Sequence, residues 1–292
     1  MSMETISCIE IDLSKCIREG LCFSICPWVF KWDEVRDCPT VADPSECIDC
    51  GHCIALCPED AIMHRRMDMS NFPRINPDLE ISSDQLMQLL RKRRSIRIFN
   101  AKRAVRRQTI ERMLEAARYS PTGSNAQSLV HAIVMDRQVM DEIRDCCIQE
   151  IRKIVDHSGG SQGAEQEELG HYRTLLRAYD RGVDLLFFNA PGLIVTHAPK
   201  KPASPLVEDA ALASFHMMLM AETLGLGTCY IGNLYLAASH NQRIRSLLNI
   251  PQDHDILMAF VFGYPGVRFR RLVDRKPPKV KWFLPTDMTA RD

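Results

Sequence analysis

At 292 residues, with 37 Lys plus Arg balanced by 37 Asp plus Glu, the chain has length for two domains and no net charge to draw it to nucleic acid or another acidic polymer. Its longest apolar run, seven residues at 256–262, falls well short of the roughly 18 that a membrane helix needs, so no membrane partner is expected. Residues 1–16 lack the basic start and long apolar run of a secretory leader, so the 12 cysteines read as thiols of a reducing, cytoplasmic setting rather than as a disulfide framework.

In chain order, residues 6–13 alternate, with Ile9, Ile11 and Leu13 on one face, which predicts a half-buried strand. Short segments and eight cysteines follow, and 65–81, polar with Pro73 and Pro77, reads as a linker. The pairing of Ser82 with Gln85 predicts a capping box for a helix carrying Leu86, Leu89 and Leu90. A second helix holds Ile110, Met113, Leu114 and Ala117 and stops at the turn Ser120-Pro121-Thr122-Gly123. A strand at 129–135 precedes a helix marked by Met140, Ile143, Cys147, Ile151 and Ile154, and residues 157–170, rich in Gly and Glu, read as an irregular excursion. Then come a strand at 193–196, a long helix over 206–224, a strand at 228–231, one helix ending before Pro251, and a strand at 256–262. Helices and strands mix without a regular βαβ rhythm, which predicts an α+β layer fold. Met217, Met218 and Met220 on the long helix read as core filling, and Cys8, Cys146, Cys147 and Cys229 as small core residues.

Seven of the eight cysteines between 16 and 57 fall into two blocks. The second, Cys47-x2-Cys50-x2-Cys53-x3-Cys57-Pro58, matches the bacterial ferredoxin run C-x2-C-x2-C-x3-C-P, in which three thiolates hold one cluster and the fourth reaches to the other. The first reads Cys16-x2-Glu19-x2-Cys22-x3-Cys26-Pro27, with Glu19 where a thiolate belongs. Zinc also takes Cys-x2-Cys pairs, but structural zinc sites do not need the shared Cys-Pro endings or a third closely spaced cysteine. Cys38, between the blocks, fits no ferredoxin position. The ferredoxin resemblance implies that Cys47, Cys50, Cys53 and Cys26 hold one 4Fe-4S cluster and that Cys16, Cys22 and Cys57 hold a second with Glu19 at the fourth place. That second cluster is expected either as 3Fe-4S or as 4Fe-4S with its last iron on the harder Glu19 carboxylate or on solvent.

From Arg91 to Arg107 there are nine basic residues and no acidic one. Within that run Arg93-Arg94-Ser95-Ile96-Arg97-x-Phe99 resembles the opening motif of the FMN-dependent nitroreductase family. Guanidinium forks suit a phosphomonoester better than ammonium groups do. Three further segments follow in the family's order. Ser120-Pro121-Thr122-Gly123-Ser124-Asn125-Ala126-Gln127 is similar to its S-P-[ST]-x-x-N-x-Q turn, whose amides match the alternating donors and acceptors of the isoalloxazine edge. Gly225-Leu226-Gly227-Thr228-Cys229-Tyr230-Ile231-Gly232 resembles its G-L-G-T-C-x-I-G, where the backbone nears the flavin. Gly263-Tyr264-Pro265 and Arg275-Lys276-Pro277 resemble the elements that return a basic residue, Arg275 or else Lys276, to the phosphate; Val273 stands where the family often has a further basic residue.

The resemblance implies a nitroreductase-like α/β/α fold over 82–292, preceded by a ferredoxin-like iron-sulfur domain over 1–64 and the 65–81 linker. It implies FMN bound at the interface of an intertwined homodimer by Arg93, Arg94, Ser95, Arg97, Pro121, Thr122, Ser124, Asn125, Gln127, Ile231, Gly232, Arg275 and Lys276. No Ser-His-Asp or paired-carboxylate arrangement stands out, so the chemistry is expected at the flavin itself. The fusion suggests a wire: an electron-donor protein such as a ferredoxin, or NAD(P)H, feeds the clusters and then FMN, which reduces a small-molecule acceptor such as a nitroaromatic or quinone. No G-x-G-x-x-G dinucleotide fingerprint is present. Two other readings stay open: a specialised member of the fold, such as a dehalogenase or flavin-modifying enzyme, and a carrier or redox sensor without turnover.

Overall fold

The computed structural model of the chain describes residues 7–158, 164–200 and 206–284, and of 164–168 the backbone alone. Near the N-terminus β1 (Ile9–Ile11) pairs antiparallel with β4 (Ile62–His64), and β2 (Phe30–Asp33) pairs with β3 (Cys38–Val41). The first strand is shorter than its alternation predicts. Asp12 Oδ1 accepts the Ser14 N–H at 3.0 Å, and this local turn ends the strand before Leu13, which is exposed. Two five-residue helices, α1 (Leu21–Ile25) and α2 (His52–Leu56), complete the unit. Its core is Ile9, Val29, Phe30, Cys53, Ile54 and Ile62, ringed by partly buried cysteines. The polar 65–81 segment starts as part of this unit: Met67, Met69 and Phe72 pack on the same core, and a Cβ on Gly51 would lie 2.9 Å from the Phe72 ring.

Beyond it, α3 (Ser83–Lys92) begins with the predicted capping box, Ser82 accepting from the Gln85 N–H and Gln85 Oε1 from the Ser82 N–H. None of its residues is buried in the single chain. After α4 (Arg107–Arg118) and β5 (Val130–Val134) come α5 (Arg137–His157) and α6 (Ala164–Tyr179). Here the predicted excursion over 157–170 is corrected. Helix occupies 164–170, because the stretch Ala164-Glu165-Gln166-Glu167-Glu168-Leu169 consists of good helix formers and outweighs the nearby glycines. Part of that prediction, 159–163, lies outside the described residues. Leu169, Tyr172, Leu175 and Leu176 of α6 pack against Ile148 and Ile151 of α5.

The remaining elements are β6 (Gly192–Pro199), α7 (Leu206–Thr223), β7 (Gly227–Tyr230), α8 (Gly232–His240), α9 (Gln242–Leu247) and β8 (His254–Gly263). One helix was expected before Pro251 and two are present, broken at Asn241, whose side chain turns from the α8 end to accept the Arg243 N–H and cap α9.

The four long strands form an antiparallel sheet in the order β5-β6-β8-β7. Period-two alternation sends Leu193, Val195, Ala259 and Val261 to one face, against α5, α8 and α9. Ile194, Phe260 and Phe262 go to the other, against α4 and α7, with Met217 and Met218 filling the gap. Both faces are covered, which is why β6 and β8 read as continuous apolar runs, and the result is the expected α+β architecture with α/β/α layers. Among the described residues no helix is long and apolar enough to cross a membrane.

Buried polar groups mark one weak point of this core. His197, 5% exposed, shares an Nδ1 to Nδ1 contact of 2.8 Å with His254 where the β6 register shifts. Burial, aided by the neighbouring His254, His131 and Arg245, pushes its pKa down to about 4. The folded chain therefore keeps His197 neutral while the unfolded chain protonates near 6.5, so stability falls as pH drops from about 6.5 towards 4. By this linkage the residue costs about 2 kcal/mol at pH 5 relative to pH 7. In circular-dichroism melts, His197→Gln is expected to shrink the gap in Tm between pH 7 and pH 5; an undiminished gap would show that His197 does not set it.

Candidate functional site

The two cysteine blocks fold as copies of one loop. Gly20 and Gly51 precede α1 and α2 with the same φ of 72°, and Arg18 (φ 63°) and Asp49 (φ 53°) stand two residues before them, also left-handed. Glycine takes this conformation without steric cost, and the flanking non-glycine residues are held in it by the loop. Between each left-handed pair sits one residue, Glu19 in the first loop and Cys50 in the second. Glu19 thus occupies the backbone position that Cys50 holds in the second loop.

The thiols gather in two sets. Cys16, Glu19, Cys22 and Cys57 line one small cavity, walled by Ile11, Pro39, Ala61 and Ile62. Burial raises the Cys22 thiol pKa, and the neighbouring Cys16 and Cys57 raise it further. Cys53 forms the second centre: burial, then its neighbours Cys47, Cys50 and Cys26, push its thiol up to about 12. These sets are the ones the ferredoxin resemblance implies. Their chemistry fits iron-sulfur clusters: four soft donors, or three with a carboxylate, whose protons a metal must displace. Cys38 stands apart, buried at the start of β3.

Around the second set lie groups that sequence reading missed. His64 Nε2 is 3.4 Å from Cys47 Sγ and 3.1 Å from Asp49 Oδ1. Sulfur of Cys8, sulfur of Cys47 and nitrogen of His64 all fall within 4.8 Å of one another. Arg66 donates to the Cys47 carbonyl and to Asp49 Oδ1. The loop that carries Cys47 and Cys50 is therefore pinned by a cation and a histidine from the end of β4. Only their place right after an apolar strand, as His64-Arg65-Arg66, hinted at this.

In the large unit the basic motif leaves α3 as an extended segment bridged through Ser95 to Thr228, with the Ile96 N–H donating to the Thr228 carbonyl at 2.9 Å. Extension splits the motif by alternation. Arg93, Ser95 and Arg97 act on the buried Cys229 thiol, whose pKa burial raises and these three lower. Arg97 also sits 5.7 Å over the Phe188 ring. Arg94 faces the opposite way, into a groove shared with Lys92, Arg268, Arg270 and Arg271. Ile96 is buried between them against Gly227, where a Cβ would lie 2.3 Å from it.

Ile231 is buried and its N–H donates to the Ala259 carbonyl at 2.9 Å; Gly232 opens α8. A Cβ on Gly232 would meet nothing closer than Tyr235 at 3.8 Å, so this glycine is not demanded by the protein's own packing. Arg275 and Lys276 are exposed on the C-terminal arm, and the only described side-chain bond of Arg275 is to the Asp274 carbonyl.

The turn at 120–127 precedes β5, at the sheet edge opposite β7. The basic segment lies one strand beyond β7, so four strand spacings of ~4.8 Å put the turn about 19 Å across the sheet from Arg93 to Arg97. Ser124, Asn125 and Gln127 all adopt positive φ (51°, 53° and 46°), a costly run for residues with a Cβ. External bonds hold it. The Gly123 N–H donates to Asp209 Oδ1 at 3.1 Å, and the Gln127 N–H to Thr122 Oγ1 at 3.1 Å. Asp209 is 3% exposed and its second oxygen lacks a described partner. Sequence reading missed it, because an acidic residue in the first turn of a helix, here beside Glu208, is what the helix dipole favours anyway. Thr122 and Gln127, with Leu114, Leu129 and His131, line a cavity of about 500 Å³; Pro121 and Ser124 are exposed beside it. Asn125 points elsewhere: its Nδ2 donates to the carbonyls of Ile48 and Asp49, at 2.8 and 2.9 Å.

Comparison with known proteins agrees with both halves. Residues 90–264 match the nitroreductase family, and residues 8–58 match the 4Fe-4S dicluster domain. A relative from Archaeoglobus fulgidus, whose given name couples NADH dehydrogenase with NAD(P)H nitroreductase, is 24% identical over 186 residues, 62% of this chain and 86% of that protein. The fold is that of a nitroreductase with bound FMN from Desulfitobacterium hafniense DCB-2, at TM-score 0.54 and 21% identity over 69% of this chain and 100% of the other. It is also that of an iodotyrosine deiodinase bound to FMN and 3-iodo-L-tyrosine, at TM-score 0.54 and 23% identity over 68% of this chain and 99% of the other. Built on that fold and carrying the family's match over most of its length, the chain belongs to the nitroreductase family, with a 4Fe-4S dicluster domain of ferredoxin type ahead of the family domain.

Proposed function

We propose that this protein is an iron-sulfur flavoprotein oxidoreductase that accepts electrons from a ferredoxin-type or other low-potential donor, or from NAD(P)H, and delivers them to a small organic acceptor such as a nitroaromatic or quinone. The observation that carries this reading is the gathering of two ligand sets, Cys16-Glu19-Cys22-Cys57 and Cys26-Cys47-Cys50-Cys53, in the same chain as a nitroreductase fold. When bound, the clusters supply one-electron carriage and FMN supplies two-electron chemistry with an organic acceptor.

The chain's own residues bind and orient. Arg93, Ser95 and Arg97 share one side of an extended segment, a guanidinium and hydroxyl set suited to a phosphomonoester. Arg94 faces the other side, so the phosphate role rests on the first three, joined by Arg275 or Lys276 when the C-terminal arm is placed. Pro121, Thr122, Ser124 and Gln127 from one sheet edge and Ile231 and Gly232 from the other would flank the isoalloxazine. A homodimer accounts for this division, because the turn of one copy can meet the basic segment of its partner. Supporting a second copy are Leu86 and Met87 of α3, 41% and 55% exposed, and Trp282 and Phe283 of the arm, 77% and 92% exposed. The cavity lined by Leu114, Thr122, Gln127, Leu129 and His131 is of a size and mixed polarity that suits a flat organic acceptor. We place the division between the two functional units at 65–81.

Anaerobically purified protein is expected to contain FMN, iron and sulfide, and the lack of FMN would defeat the reductase reading. For the first cluster the expected outcome is sharper. Because Glu19 has the backbone setting of Cys50, Glu19→Cys completes a four-thiolate set; any EPR signal of an oxidised three-iron cluster should vanish and iron should rise by about one per chain. Where the wild-type protein shows the three-iron signal, an unchanged spectrum and iron content in Glu19→Cys would show that Glu19 does not stand at the ligand position. At the flavin, Gly232→Ala should leave Tm unchanged or slightly higher, since the protein has room for the methyl group, while the Kd for FMN rises about ten-fold or more. Unaltered FMN affinity would remove Gly232 from the site.

A further inference from the structure

Asn125 is the one residue of the nitroreductase motifs that leaves its own domain. Its Nδ2 donates to the carbonyls of Ile48 (2.8 Å) and Asp49 (2.9 Å), the two residues between Cys47 and Cys50. Among the described residues these are the only hydrogen bonds that join residues 7–80 to residues 82–284, and no described ion pair does so. Both ends are braced. On one side Asp209, buried in α7, accepts from the Gly123 N–H and fixes the turn. On the other, Arg66 holds Asp49 and the Cys47 carbonyl, and His64 contacts both Asp49 and Cys47. The backbone at Asn125 is left-handed, a conformation that asparagine tolerates better than most residues and that aims its amide away from its own turn.

We propose that Asn125 is a positioning residue that clamps the flavin-side turn to the Cys47–Cys50 loop, making the four-thiolate set, Cys26-Cys47-Cys50-Cys53, the one that faces the flavin and the Glu19 set the outer one. This rests on the reading of residues 120–127 as a flavin-binding turn. Electrons then enter at the Glu19 side and leave at the four-thiolate side. Each transfer moves one electron, the cluster being oxidised by one and the flavin reduced by one. Two transfers, with a proton from solvent, complete the flavin's reduction, and a one-electron donor protein of ferredoxin class supplies the electrons. A two-acceptor clamp from one amide is short and rigid, which suits a role in setting distance rather than in swinging the domains.

Two variants test it in the holoprotein, both compatible with left-handed backbone. Asn125→Gly removes the amide, and Asn125→Asp keeps the shape but sets a carboxylate against two carbonyls. Hydrogen exchange at 47–53 and 122–127 is expected to quicken about ten-fold in both, the scale of two lost hydrogen bonds. Freeze-quench EPR after mixing with dithionite is expected to show cluster-to-flavin transfer slowed at least ten-fold, with Asn125→Asp the slower. The reduction rate of the Glu19-set cluster should stay within about two-fold. Exchange and transfer unchanged in both variants overturn the proposal, as does a ten-fold weaker FMN Kd with exchange at 47–53 unchanged, which would make Asn125 a flavin ligand instead. If the wild-type protein lacks FMN or clusters, the functional reading beneath the proposal fails, and that is seen before any variant is made.

Discussion

The constraint from which the account follows is the poverty of the N-terminal core. Six residues, one of them a cysteine, make up its buried apolar cluster, and its two helices have five residues each. Units of this size need staples, and the thiols stand where staples belong, partly buried and turned inward around two centres. Burial that raises thiol pKa values makes the metal-free loops hold protons that a cluster must displace, so folding and cluster uptake are coupled. In the proposed function the centres that close the small fold would also be the ones that carry electrons.

The large unit obeys a different constraint. Its sheet is covered on both faces, so it stands without a cofactor in its core, and what it offers at its surface is divided between two edges. Arg93, Ser95 and Arg97 run beside β7, and the Ser120–Gln127 turn leads into β5. Asp209 reaches from α7 to brace the turn, and Asn125 carries that brace into the iron-sulfur unit. Among the described residues, the hydrogen bonds between the two units thus come from a single amide.

Much of this was legible in the sequence, for reasons that differ by residue. Cysteine spacing carries the ferredoxin resemblance, so both sets could be written down as expectations, with Glu19 as the expected fourth member of one. Apolar runs found all four strands of the large sheet, because strands covered on both faces read as short continuous apolar stretches. What escaped lies where contact is made between distant segments. Asp209 and Gly123 are 86 positions apart and Asn125 and Ile48 are 77 apart, and no local pattern links them. His64 and Arg66 look like a polar strand end until the fold brings them to Asp49. Helix α6 was missed because glycines at 159, 160 and 163 drew attention from the strong helix formers that follow. The break at Asn241 was missed because a capping asparagine inside a long helical pattern looks like one more polar residue.

The central claim is that electrons pass through the cysteine loops to reach the flavin. Anaerobic stopped-flow mixing of the oxidised holoprotein with a reduced ferredoxin-class donor, and separately with NAD(P)H, tests it most directly, with cluster and flavin absorbance followed together. The account predicts that clusters bleach first and flavin after them with the protein donor. Rapid flavin bleaching by NAD(P)H ahead of the clusters, with no flavin reduction by the protein donor, would contradict it.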